Sequence, residues 1–559
     1  MNEGACRTIG QNADQIHQQI PFSKIPGQSR IFLDYLSSGG NTSEFFPTDV
    51  ASLDRISSFA REVLDRFPAH RAELCDILVD QNRRFGSSQA ALSNIDRLRD
   101  VDCVAVLTGQ QAGIFGGPLY MLYKALTAIK IAAALEQQGI KAVPVFWAAT
   151  EDHDFDEISI AHGITEKGEL FETKIDVDPA DAGRSVGNIP IPTEFKKVVA
   201  EHLSRLGQTA FSPAIEKIIA ECWQPGRTYG DAFCRFVADL LSDLGLIIVE
   251  PLDKRLRTLA SPIIERTVEK IDKIITSLLQ RNESLTAAGY HSQVLVTKGS
   301  VPFFIFDEEG HRRGLKREES GMFRLAGSKE NITSDQLLKI ASEQPEIFSP
   351  NALLRPVVQD SLFPTVCYVG GAAEIAYFAQ NSVIYQLLDR PTTPIFHRQS
   401  LTLIESRHLR AIQRYGIEFC DLFDGYDQMM QKLIATFVNP LASQRFIEAE
   451  DKINYELDRL DSEIAKIDPT LSANLANRRR KINYHIHALQ KKFYRVQGEK
   501  DKTLDRRLRA LFSELYPKNG LQERTLGIDT FINRHGLALI TEIYSSINVE
   551  GRDHLFLHI

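Results

Sequence analysis

Apolar residues fall along this chain in two kinds of run. Val104 to Leu107, Val143 to Trp147, Leu246 to Pro251, Pro364 to Val369 and Thr393 to His397 are short, nearly continuous apolar stretches bounded by turn-forming or charged residues. That is the pattern of strands buried on both faces of a parallel sheet. Elsewhere apolar positions return every three or four residues, as a helix with one buried face requires. Leu119, Leu122, Leu126, Ile129, Ala133 and Leu135 do so after the first strand, except for one step of two, as do Tyr229 to Leu244 before the third and Lys254 to Asn282 after it. The alternation predicts an α/β fold with an open parallel Rossmann-like sheet of about five strands.

Ahead of the sheet, Ile56, Phe59, Ala60, Val63, Leu64 and Phe67 mark one helix and Leu74, Ile77, Leu78 and Gln81 another. Two stretches interrupt the alternation. Gly183 to Pro192 is rich in turn residues, and VLVTKG, VPFFIFDEEGHRRGL and MFRLAG alternate strand runs with turns. The expected organisation is therefore N-terminal helices and the first half of the core over 1–160, a first insertion over 161–225, core again over 226–289, a second insertion over 290–350 and the second half of the core over 351–445.

The pattern then changes in kind. Ile453, Leu457, Leu460, Ile464 and Ile467 step by four and three, and after Asp468-Pro469 so do Ile482, Ile486, Leu489, Phe493 and Val496. This is coiled-coil spacing. Residues 446–468 carry three Lys/Arg against eight Asp/Glu, net −5, and residues 478–512 carry twelve against three, net +9. Opposite charge across a short break predicts an antiparallel helical hairpin over 446–516, with 517–559 packing back on the core.

Candidate chemistry gathers where the predicted strands end. Thr108-Gly109-Gln110, Gly113, Gly116 and Gly117 separate the first strand from a helix opening at Pro118. Free N–H groups and the helix dipole make such a turn a natural anion site. Neither G-x-x-x-x-G-K-[ST] nor G-x-G-x-x-G is present, so glycines that merely close the turn are an equal reading. The second strand runs into Glu151, Asp152, His153, Asp154, Asp156 and Glu157, carboxylates and an imidazole suited to ribose, an ammonium group, a metal-bound nucleotide or proton transfer. A solvated acidic loop is the alternative. Gly370-Gly371 with Glu374 and Tyr377 follows the fourth strand, and Arg398 follows the fifth. The Ser23 to Ser29 loop is a candidate border of the same crevice.

The net charge of −8 and pI near 6.0 argue against a nucleic-acid partner. There is no apolar run long enough to span a membrane and no secretion signal, so a cytoplasmic protein is expected. Seven cysteines without a C-x-x-C pair indicate neither a disulfide framework nor a structural zinc, and no metal ligand is assigned.

TGQQAGIFGGPLYMLYKALTAIK followed by VPVFWAATEDHDFDEI resembles the cysteine-adding enzymes of bacillithiol biosynthesis, the BshC family. PFSKIPGQSRIFLDYL, LRPVVQDSLFPTVCYVGGAAEIAYFAQ and the LQER segment at Leu521 to Arg524 agree, so the resemblance spans nearly the whole chain. Ala372 and Ala373 depart from the Gly-Pro expected after Gly370-Gly371. The resemblance implies a core similar to class I aminoacyl-tRNA synthetases and an ATP-dependent ligase, with Mg²⁺, that joins cysteine to the amine of glucosaminyl malate. It also implies a homodimer, with the coiled coil a candidate interface. In that reading Thr108, Gly109, Gln110, Gly113, Gly116, Gly117 and Arg398 bind nucleotide, and Glu151, Gly370, Gly371 and Tyr377 bind substrate. Asp152, His153, Asp154 and Glu374 are catalytic, with His153 or a neighbouring carboxylate as base. The H-x-G-H motif of class I synthetases is absent. A tRNA-linked nucleotidyl-transferring enzyme and a nucleotide-binding assembly protein are the competing classes.

Overall fold

The computed structural model describes residues 7–9, 17–40, 42–47, 53–67, 70–438 and 440–559. Contacts divide it into one unit comprising 1–166, 171–402 and 522–557 and another comprising 167–170, 403–521 and 558–559. Residues 403–445, read from the sequence as core, thus belong with the helical hairpin, and most of the C-terminal segment belongs with the sheet.

The first unit is built on five parallel strands, β1 (Val104–Gln110), β2 (Ala142–Ala148), β3 (Ile247–Val249), β4 (Thr365–Gly370) and β5 (Ile395–His397), in the order β5-β4-β1-β2-β3. All five fall where the apolar runs predict them. Val104 pairs with Ala142 and Leu107 with Val145, Tyr368 pairs with both Leu107 and Ile395, and Val145 pairs with Ile247. Every residue of β2 is buried. Helices α1 (Tyr120–Gln137) and α3 (Ala372–Leu387) follow β1 and β4, and α2 (Arg355–Leu362) precedes β4. Val104, Val106, Ile131, Leu135, Val366 and Val369 form one apolar cluster with Ile56, Phe59 and Val63 of the Leu53–Asp65 helix. Burial of each such side chain is worth about 1.5–3 kcal/mol.

Two helical expectations are corrected. Pro118 is not the first helical residue: it pairs with Gly527, Leu119 N–H donates to Leu526 O at 2.9 Å, and α1 begins at Tyr120. The run from Lys254 is three helices, Lys254–Leu259, Ser261–Glu269 and Ile271–Ala287. Pro262 has no N–H to donate to the carbonyl of Thr258, and Lys270 departs from helical geometry.

The first insertion holds a two-stranded sheet, Ile160–Ile164 with Leu170–Lys174, and the helices Phe195–Leu206 and Ser212–Cys222. The second is an antiparallel sheet that includes Ser300–Phe306, Arg312–Arg317 and Phe348–Pro350.

In the other unit α4 (Pro440–Ile467) and α5 (Pro469–Lys500) form the antiparallel hairpin, capped at the break by Asp468, whose Oδ1 accepts from Thr470 N–H at 2.8 Å. Phe446 meets Phe493, Glu450 meets His487, Asn454 meets Asn483 and Asp458 meets Arg479. The heptad assignment is corrected in part. Leu457, Ile464, Ile486 and Phe493 are half-buried, but Leu460, Ile467, Ile482 and Leu489 are exposed. Polar residues such as Asn454, Asn483 and Arg479 take seam positions instead. The helix α6 (Lys502–Leu515) returns from the hairpin.

Candidate active site

From β1 the sheet extends through β2 to β3, and the chain then returns to place β4 on the other side of β1. Ligands in open α/β sheets bind at such a reversal, beyond the carboxyl ends of the strands. A cavity of about 980 Å³ opens there. It is lined by Gly109, Gln110 and Gln111 after β1, by residues 151–157 after β2, and by Gly371, Glu374 and Tyr377 after β4.

Its floor is a buried ion pair. Lys124, the one buried charge on helix α1, donates through Nζ to Gly109 O at 2.5 Å and to Gln110 Oε1 at 3.1 Å, and pairs with Glu374 Oε2 at 2.6 Å. Glu374 sits in the first turn of α3, where Gly371 N–H donates to Oε2 and the Tyr368 hydroxyl to Oε1, both at 2.8 Å. Burial pushes the carboxyl up, but the Lys124 and Arg355 charges and these hydrogen bonds hold it below its ordinary range. Burial also draws the Lys124 ammonium down, against the pull of Glu374. Glu374, expected as a catalytic carboxylate, is therefore occupied in a structural pair at the cavity wall. Beside it Arg355 donates through Nη2 to Tyr377 Oη at 2.5 Å and through Nη1 to Tyr368 Oη at 3.4 Å.

The opposite wall is the acidic cluster. Asp152 Oδ1 accepts from His153 N–H at 2.8 Å and from Arg312 Nη1 at 3.3 Å, while Oδ2 accepts from Gln111 at 3.1 Å. Burial opposes ionisation of Asp152, yet hydrogen bonding to His153 and the Arg312 charge win and keep its carboxyl far below the usual range. Arg312 Nη1 also lies 3.5 Å from His153 Nδ1, and its guanidinium stacks 4.0 Å from the Phe304 ring centre. Burial raises the Glu151 carboxyl, and it raises that of Glu157 against a hydrogen bond from Gln111. Phe155, buried against Tyr229, anchors the short helix Phe155–Ile158 so that Asp154, Asp156 and Glu157 stand exposed at the rim.

Several expected ligand residues lie elsewhere. Thr108 is fully buried and donates to Val369 O at 2.8 Å, joining β1 to β4. Gly113, Gly116 and Gly117 do not line the cavity. A Cβ on Gly113 would stand 2.9 Å from Gly117 Cα, and one on Gly116 would stand 2.4 Å from Phe236 Cε1. Phe115, between them, is buried against Phe195, His202 and Trp223 at a φ of 54°. Close packing accounts for Gly113 and Gly116, and a φ of +69° for Gly117, as in the reading where these glycines close the turn. Gly370 is likewise packed, 2.9 Å from Ile395 Cδ1 for an added Cβ. The Ser23–Ser29 loop does not line the cavity either.

Arg398 reaches the cavity, but its guanidinium is held by Glu523, Nη1 to Oε2 at 2.9 Å and Nη2 to Oε1 at 2.6 Å. Ser400 and the Leu401 N–H also donate to Glu523. Burial raises the Glu523 carboxyl, yet Arg398 outweighs it and holds the pKa at about 2. Burial, with Arg398 alongside, lowers His397 to about 3. This fork-to-fork pair ties the LQER segment to the end of β5.

Lys124, Arg355, Arg312 and Arg524 line the cavity without having been singled out in the sequence. Lys124 was detectable as the charge on an apolar helix face, and Arg355 and Arg524 lie inside LRPVVQD and LQER. Arg312 had no signal, sitting in the polar hairpin EEGHRRGL. Away from the cavity, Asp307, Glu309 and His311 converge in the first unit, and Glu405, His408 and Glu514 in the other, close enough to share a cation.

The N-terminal Rossmann-like domain of bacillithiol biosynthesis BshC matches residues 16–399, and its C-terminal coiled-coil domain matches residues 401–559. The chain belongs to the BshC family. It is 34% identical over 532 residues to a protein of Solibacter usitatus named "Putative cysteine ligase BshC", covering 95% of this chain and 98% of that one. The counterpart of the same name from Koribacter versatilis is 32% identical over 521 residues, with 93% and 96% covered, and that of Salinibacter ruber 31% over 525 residues, with 94% and 95%. Family membership accords with both the Rossmann-like sheet and the helical hairpin.

Proposed function

We propose that this chain is the ATP-dependent ligase that joins the carboxyl of cysteine to the amine of glucosaminyl malate, closing an amide in bacillithiol formation. The observation that carries the reading is the cavity at the sheet reversal, where the acidic cluster of 151–157 faces the buried cations of the β1 and β4 side. ATP supplies the leaving group that an ionised carboxyl lacks, and the stretch of cavity wall at Gly109 and Gln110 is the place on β1 for its phosphates. The oxygen donors of Asp154, Asp156 and Glu157 at the rim suit a cation brought by the substrates, an ammonium group or the Mg²⁺ that would accompany the nucleotide. Asp152, ionised and fixed by Arg312 and Gln111, orients His153 toward the attacking amine. His153 takes the amine proton as the C–N bond forms.

Among the described residues no helix is long and apolar enough to cross a membrane; a cytoplasmic site of action is part of the proposal. Exposed Leu460, Ile467 and Leu489 on the hairpin support a homodimer through its helices. Sedimentation of L460E/L489E as a monomer, with wild type as a dimer, is the expected result.

The deciding experiment incubates the protein with ATP, cysteine and glucosaminyl malate and follows amide and nucleotide by mass spectrometry. Amide with AMP indicates an adenylate route, and amide with ADP an acyl-phosphate route. His153→Ala should lower turnover by about 10²–10⁴-fold without loss of folding. No amide from folded protein overturns the proposal.

A further inference from the structure

The cavity is electrically two-sided once its internal pairs are set aside. Lys124 is neutralised by Glu374, Arg398 by Glu523, and Arg312 faces Asp152. Arg355 differs from all three, and also from Arg524, which lines the cavity as an exposed side chain whereas Arg355 is half-buried in the wall. Its hydrogen-bond partners are the phenol oxygens of Tyr377 and Tyr368, and among the described residues no carboxylate forms an ion pair with it. Glu374, whose charge acts on it, already accepts from Lys124, Gly371 N–H and Tyr368, and Glu151 also feels the Arg355 charge without forming an ion pair with it. The guanidinium lies in the cavity wall, and a Cβ on Gly109 would stand only 3.4 Å from its Nη1, so the absence of a side chain there leaves this face open. A wall-mounted guanidinium whose partners are neutral keeps its charge for a ligand, and its planar fork matches an oxyanion. On the far side, Asp154, Asp156 and Glu157 form no ion pair with a basic side chain among the described residues.

We infer that Arg355 is the anion-binding residue of this cavity, receiving a carboxylate or phosphate of the substrates while their cationic end meets the Asp154–Glu157 rim. The inference rests on the proposed ligase reading for the identity of the substrates, not for the site itself. A carboxylate would come from the malate moiety of the acceptor and a phosphate from the nucleotide. Both are oxyanions, and the test separates them.

Isothermal titration of the full-length protein with L-malate, with pyrophosphate and with glucosamine reads the site without turnover. Arg355→Gln is expected to weaken the bound anion by about tenfold or more and to leave glucosamine within about twofold. Loss of malate alone names the acceptor as the source, and loss of pyrophosphate alone names the nucleotide. Equal anion affinities in wild type and variant, or no anion binding by wild type, overturn the inference. Should Arg355→Gln fail to fold, Arg355→Lys keeps the charge but not the fork, and unchanged anion affinity there overturns the bidentate assignment. Anion binding that depends on Arg355 in a protein making no amide would retain this site and remove the proposed ligase activity.

Discussion

Charged residues are used in opposite ways in the sheet unit and in the helical hairpin. In the sheet unit Arg398 and Glu523 are 4% and 1% exposed, doubly hydrogen-bonded and supported by Ser400 and Leu401. In the hairpin Arg479 and Asp458 meet at the same 2.6 Å, but their side chains are 29% and 66% exposed. Equal distance does not mean equal energy. Water screens the hairpin pair and leaves it worth about 0–1 kcal/mol, whereas breaking a buried pair strands a charge where solvent cannot reach it. Charge in the sheet unit holds the wall of the cavity in shape, and charge in the hairpin favours antiparallel helices.

The largest expected effect is Glu523→Gln, which leaves Arg398 buried without its counter-ion and should cost about 3–5 kcal/mol at neutral pH by denaturant unfolding. Arg398→Met together with Glu523→Leu should recover most of that loss, because it removes both charges at once. The same pair governs acid stability. Glu523 is held at about 2, below its ordinary value near 4.5, so its contribution is full above pH 4.5 and disappears as pH falls toward 2. The gap between wild type and Glu523→Gln should therefore narrow across that window, and a gap that is constant from pH 7 to 2.5 would show that the pair is not the source.

Next in size is Gly116→Ala. It adds a Cβ 2.4 Å from Phe236 at a φ of +91°, and should cost about 1–3 kcal/mol while leaving ATP affinity intact in the folded fraction. Weaker nucleotide binding at unchanged stability would restore the phosphate cradle that the packing argues against. The smallest effect is Arg479→Ala in the hairpin, about 0.2–1 kcal/mol at low salt and less at high salt. A loss as large as that of Glu523→Gln would erase the contrast between the two regions.

How much of this was legible in the chain follows the same division. The five strands could be read because a strand buried on both faces must be apolar at nearly every position, as β2 is. The antiparallel hairpin could be read from charge because its two arms differ so strongly in sign. Its seam could not: Asn454, Asn483 and Arg479 take positions that apolar spacing gave to Ile482 and Leu489, since polar pairing across the helices competes with apolar burial. The acidic run after β2 was visible as a candidate site, and the structure places it on the cavity with Gly109 and Gln110. The sequence left two readings of Gly113, Gly116 and Gly117 open because glycine required by a close neighbour and glycine required by a ligand look the same in a sequence.

What the chain by itself determined is local: where the parallel strands lie, that their ends carry glycine, acid and imidazole, and that a helical hairpin of opposite charges follows. Those features depend on periodicity and composition within a few turns of chain. Only the tertiary structure decided which charges are spent. Lys124 meets Glu374, Arg398 meets Glu523 across 125 positions, and Arg312 enters from a separate insertion to meet Asp152. The physical reason is that pairing energy depends on distance and burial in space, and neither is encoded in the spacing of residues along the chain.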